Sequence, residues 1–199
     1  MSRFISRLSF LILLTCLLSA CSTRGKVDIY DGSTAQRLVT YSINNLMTQL
    51  QEEDLSPFAA KPVYLRSHFI NPSPVVDYAN ARLKLELESR FAMKLVDNID
   101  DAGYILDFFF TSLGTDKDTF GLTVPIFWVS TDGQQQNLDI LAVNMYHGVS
   151  ELYYYSKDME SGKIIQHSRV LNRARADVFS TPIISFPVDD LEEGSFIDE

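Results

Sequence analysis

Between residues 34 and 110 the spacing of apolar side chains switches from a helical period to a strand period and back again. This alternation constrains the fold more than any other feature of the chain. Leu38, Val39, Ile43, Leu46, Met47 and Leu50 recur at helix spacing, and the turn Asp31-Gly32-Ser33-Thr34 before them offers cap residues, so an amphipathic helix is predicted over 34–53. Its last turn would hold Glu52, Glu53 and Asp54, the wrong charge for a helix C-terminus. Residues 61–69 alternate as a strand opened by Pro62, and Asn71-Pro72-Ser73-Pro74 stops it. A second helix is predicted over 74–92, with Val76, Ala79, Leu83, Leu87 and Phe91 inward and Arg82, Lys84, Glu86, Glu88 and Arg90 outward. Short strands follow at 93–97 and 104–110. The second is apolar on both faces and therefore reads as central and covered on both sides. Residues 148–158 and 163–177 form a hairpin around Met159-Glu160-Ser161-Gly162. The fold class is α+β: two amphipathic helices packed on a mixed, mainly antiparallel sheet of about five strands, in a single domain over 33–180.

The N-terminus lies outside this plan. Arg3 and Arg7 precede an apolar run, Leu8 to Leu18, that is shorter than the roughly 20 residues a spanning helix needs, so residues 1–20 read as a cleaved export signal. The run ends in Leu18-Ser19-Ala20-Cys21, which resembles the lipobox of bacterial lipoproteins: an aliphatic residue, two small residues that admit the peptidase, and a thiol able to take a diacylglyceryl group as a thioether. Further acyl chains such as palmitate would make the anchor durable, because a single chain binds a membrane only marginally. Residues 21–32 then form a lipidated tether. Ser22, standing where aspartate would favour inner-membrane retention, points to the outer membrane with the protein facing the periplasm.

Loss of residues 1–20 removes Arg3 and Arg7. The 17 basic residues fall to 15 against 26 acidic ones, a formal charge of −11. So acidic a surface argues against nucleic acid as a partner and against electrostatic docking on anionic lipid. Cys16 leaves with the signal and Cys21 carries the lipid, so the domain has no disulfide and rests on its packing.

Two segments stand apart from the helices and strands. Residues 114–145 hold an alternating apolar stretch from Phe120 to Val129 and then the polar turn Thr131 to Asn137, and read as an excursion. Residues 187–199 carry six acids and read as a disordered tail.

Several strings within this layout resemble an uncharacterised family of bacterial lipoproteins over about residues 33–167. They are Thr34-Ala35-Gln36-Arg37-Leu38, Lys61-Pro62-Val63-Tyr64-Leu65, Leu95-Val96-Asp97, Ser112-Leu113-Gly114-Thr115-Asp116 and Gly148-Val149-Ser150-Glu151-Leu152. More distantly the plan is similar to the periplasmic domains of the curli secretion channel lipoprotein, the lipoprotein activators of penicillin-binding proteins and the Pel-polysaccharide lipoprotein. That resemblance implies an architecture and a scaffold or docking role, but no chemistry. With its single excursion containing Pro125, residues 114–145 do not match the long paired hairpins by which the curli channel crosses the membrane.

No catalytic constellation stands out. There is no Gly-x-Ser-x-Gly elbow, and His68, His147 and His167 are scattered over strands without metal-ligand spacing. Asp97, Asp100, Asp101 and Asp107 read as turn caps. A non-enzymatic protein with no cofactor and no metal is expected. Gly114, Thr115, Asp116 and Asp118 form a candidate ligand loop, with an Asx-type turn as the plainer account. Phe120, Phe127, Trp128 and Tyr154 form a candidate contact surface, with an ordinary strand as the plainer account. The sequence thus leads to a membrane-anchored lipoprotein working by protein contact, as an accessory or scaffold subunit of an envelope assembly, with envelope proteins or further copies of itself as partners; the alternative is a small-ligand or glycan-binding module.

Overall fold

The computed structural model describes residues 23–25, 33–126 and 136–188, with side chains described over 33–124 and 138–188. The elements in chain order are β1 (Thr23–Gly25), α1 (Ser33–Thr48), α2 (Glu52–Leu55), β2 (Pro62–His68), α3 (Pro74–Ser89), β3 (Lys94–Val96), β4 (Tyr104–Ile126), β5 (Gln136–Asp158), β6 (Ile164–Gln166), β7 (Val170–Ser180) and β8 (Ser185–Pro187). The fold is α+β with a mixed sheet. β2 runs parallel to β3 and β4, whereas β1 pairs antiparallel with β4, β6 with β5, and β8 with β7. The signal, Cys21 and most of the tether lie outside the described residues, as do Phe127, Trp128 and the tail from 189 onward.

Where the sequence reading has one domain, the chain divides into two compact units, 27–116 with 147–175 and 1–26 with 117–146 and 176–199. The first holds the core. Leu38, Val39, Ile43, Leu46 and Met47 of α1 and Val75, Val76, Ala79, Leu83 and Leu87 of α3 are buried, as are Leu106, Phe108, Phe110, Leu152 and Tyr154 of the sheet. α1 approaches β5 so closely that a Cβ on Gly148 would overlap the carbonyl of Leu38, and Ser150 Oγ donates to the carbonyl of Ser42 at 2.7 Å.

The helix ends explain the misplaced acids. α1 stops at Thr48, and Glu52, Glu53 and Asp54 form the first turn of the separate helix α2, where negative charge is favourable. The C-terminal carbonyls of α1 are taken by Arg90, whose guanidinium donates to Thr48 O at 3.0 Å and Leu50 O at 3.2 Å. α3 begins at Pro74, with Ser73 Oγ accepting from Val76 N. Glu86, expected outside, is buried between Arg82 and Arg90, which turns its charge into a tie along the helix.

Residues 114–145 are not a single excursion. Their ends belong to β4 and β5, each 23 residues long and neighbours in the sheet. Partners on β5 fall in number as those on β4 rise, from Phe108 with Tyr154 to Thr119 with Asn144, so the two strands are antiparallel. Pro125 is tolerated because β1 pairs with β4 only as far as Thr119. Pro187, assigned to the tail, lies in β8 opposite Val178.

Candidate functional site

Two side-chain groups in the unit formed by residues 27–116 and 147–175 carry polar chemistry. The first lies on the sheet face opposite the buried residues of β4. Successive strand residues alternate faces, so the burial of Phe108 and Phe110 turns Asp107 and Phe109 the other way. There His68 of β2 stacks on Phe109 at 4.4 Å, Phe109 stacks on Tyr153 at 5.2 Å, and Tyr155 meets both rings edge-on. Beside this ladder Arg66 grips Asp107 with two bonds of 2.7 and 2.6 Å, and His68 Nε2 sits 2.8 Å from the same carboxylate. Burial pushes the Asp107 carboxyl upward, but the hydrogen bonds from Arg66 and His68 outweigh it and hold the group below the usual carboxylate range. Phe109, Tyr153 and Tyr155 are half-buried and His68 is exposed. The strand expected to be covered on both faces is thus buried on one face and left half open on this one.

The second group joins residues far apart in the chain. Asp54 of α2 accepts from Tyr154 at 3.1 Å and pairs with His167 Nδ1 at 3.3 Å, while His167 Nε2 lies 2.8 Å from Ser156 Oγ. Tyr154 and His167 are stacked at 4.7 Å. Burial, with the charge of Asp54 beside it, pushes the Tyr154 phenol above its ordinary value. The order carboxylate, imidazole, hydroxyl is that of a nucleophilic triad, with Asp54 holding the proton on Nδ1 so that Nε2 accepts from the serine. An open cleft of about 480 Å³ adjoins it, lined also by Lys61, Tyr104 and Lys163. Ser156, however, is 3% exposed and sits within β5 opposite Ile165, rather than on a strained turn that would present its hydroxyl. What the group does in this structure is tie α2 to β5 and to the chain after β6. Sequence reasoning missed it because its members are separated by about a hundred residues and no local motif links them.

The residues singled out from sequence fare differently. Gly114, Thr115, Asp116 and Asp118 do not form a loop: they are interior residues of β4, whose partner strands take up the backbone bonds a turn would have used. Tyr154 is no contact residue, since it is fully buried between Phe108 and His167. The exposed aromatic character of that strand belongs to Tyr153 and Tyr155. Phe120 is 65% exposed. Asp100 and Asp101 lie in a short 3-10 turn capped by Asn98. His68 and His167 are placed as above, and His147 lies in β5.

Among the described residues no group of three metal-ligating side chains converges, and no helix is long and apolar enough to cross a membrane. The chain matches no protein-family model and no curated protein.

Proposed function

We propose that this chain is a lipoprotein held at the periplasmic face of the outer membrane by Cys21, and that it works without catalysis, by protein contact, as an accessory or scaffold subunit of an envelope assembly. The observation that carries the reading is the open sheet face, where His68, Phe109, Tyr153 and Tyr155 present a continuous aromatic ladder beside the Arg66–Asp107 pair. Rigid aromatics next to a fixed charge pair are the composition of interaction hot spots. The burial of Ser156 and the absence of a presenting turn support the non-enzymatic part.

Tyr153→Ala with Tyr155→Ala tests it. In-cell crosslinking of the full chain, followed by purification, should give a defined set of partner or self-crosslinks that the double variant loses while keeping its circular dichroism. An unchanged crosslink pattern would exclude this face. A second reading, glycan binding, draws on the same rings, because a sugar stacks on an aromatic face while a carboxylate takes its hydroxyls. A rise in the melting midpoint of the wild-type chain with envelope glycans, lost in Asp107→Asn, would favour it.

A further inference from the structure

The unit formed by residues 1–26, 117–146 and 176–199 is amphipathic across its sheet. On β4, Phe120 (65% exposed), Leu122 (56%) and Val124 point one way, and Leu141 of β5 is equally open at 56%. Thr119, the residue before Phe120, belongs to the other face, where its hydroxyl donates to Asn144 Oδ1 at 2.8 Å. Asn144 Nδ2 in turn donates to Asp139 at 2.8 Å and to Ser180 at 2.9 Å. Among the described residues Phe120, Leu122, Val124 and Leu141 are thus apolar and exposed, while Thr119, Asn144, Asp139 and Ser180 bond to one another. From Thr119 to Thr131 the sequence contains no charged residue, whereas Asp116, Lys117 and Asp118 stand immediately before.

The register of β1 links this face to the N-terminus. Thr23 pairs with Thr119, Arg24 with Asp118 and Gly25 with Lys117, so the first residue of β1 lies opposite the neighbour of Phe120. Cys21 is two residues from Thr23, and two trans peptide units limit the distance between their Cα atoms to about 7.6 Å. Resting on the lipoprotein reading of Cys21, acyl chains attached two residues before Thr23 are within covalent reach of the apolar stripe.

We propose that the apolar face of the β4–β5 ribbon, Phe120, Leu122, Val124 and Leu141, is a membrane-binding surface that lies in the acyl region of the bilayer next to the Cys21 lipid. Three observations select lipid over another occupant: the covalent reach of Cys21, the uncharged run, and the neighbouring polar groups of Thr119, Asn144, Asp139 and Ser180, which bond to one another. The stripe from Phe120 to Val124 rises about 13 Å along the strand. That length suits an element lying in the membrane interface, buried to about 5–10 Å with its polar face toward water. The net acidity of the chain gives no electrostatic pull toward anionic lipid, so attachment is through the acyl chains and this apolar area.

The test uses the full mature chain in vesicles of phosphatidylethanolamine and phosphatidylglycerol. With Cys16 cleaved and the Cys21 sulfur in a thioether, Leu122→Cys and Leu141→Cys each provide a single thiol for an environment-sensitive fluorophore, and Thr123→Cys reports the opposite face. Mass spectrometry of the N-terminal peptide separately establishes the lipid. The Leu122 and Leu141 probes should shift to the blue and be quenched several-fold more by doxyl lipid than by iodide, with the reverse at Thr123. Water-exposed probes at 122 and 141 on a lipidated chain would overturn the proposal and leave the anchor standing. Lipid-quenched probes on a chain without the N-terminal lipid would uphold the surface and remove the anchor. Probes shielded from both quenchers, with crosslinks through position 122 between copies, would assign the face to self-association and overturn the lipid reading.

Discussion

The two compact units use the same two strands in opposite ways. In residues 27–116 and 147–175, alternate side chains of β4 and β5 enter a core made with α1 and α3, and Leu106, Phe108, Leu152 and Tyr154 are almost wholly removed from water. In the unit that includes 117–146, the same strands keep a strict alternation, yet among the described residues only Ala142 and Asn144 are buried, and Phe120, Leu122, Val124 and Leu141 face outward. The difference teaches that a period-2 apolar pattern specifies a face without specifying what covers it. One unit carries its own cover in its helices. The other, among the described residues, leaves its apolar face exposed.

Substitutions in matched positions can break that comparison. Phe108→Ala should cost about 3–5 kcal/mol in urea unfolding, by lost burial and the cavity left behind, whereas Phe120→Ala should change stability in aqueous solution by less than about 0.5 kcal/mol. Equal costs would mean that the ribbon has a core of its own. Gly148→Ala should be next largest, at about 1–3 kcal/mol, because its methyl meets the Leu38 carbonyl and α1 must lift from the sheet; a circular dichroism melt at the wild-type midpoint would refute that contact. Ala92, held at φ 49° after α3, should gain roughly 1 kcal/mol on replacement by glycine, as left-handed strain is relieved, read as a raised urea midpoint.

The pH dependence gives the smallest and most local effect. Asp107 titrates below its unfolded value, so its contribution is present above about pH 4, the unfolded range, and is lost as the pH falls through the lower folded value. Asp107→Asn should therefore flatten the acid limb of a stability profile and leave the neutral region lower by a constant amount. A variant with an unchanged acid limb would remove the Arg66–Asp107–His68 group as the source.

Much of the first unit was legible from the residues alone. The helical period of α1 and α3, the Ser73-Pro74 cap, and the strands at 62–68, 94–96 and from 104 onward follow from local spacing and cap chemistry. The strand through Gly114 to Asp118 was not legible, because a glycine among threonine and aspartates has the composition of a turn. Only pairing with neighbouring strands holds it extended. Nor could the identity of the inward tyrosine among Tyr153, Tyr154 and Tyr155 be read, since alternation states that one differs from its neighbours without stating which way it points.

The sequence by itself determined an α+β chain with an acidic composition, a short apolar run from Leu8 to Leu18 before Cys21, and no cysteine after Cys21. These properties are local or additive, fixed by spacing and by counting. Tertiary structure decided that β4 and β5 continue as one long antiparallel pair, that Asp54, His167 and Ser156 meet, and that β1 pairs with β4 up to Thr119. Each of those depends on contacts between residues distant in the chain, whose register is set by packing and strand pairing and leaves no mark in any short window of sequence.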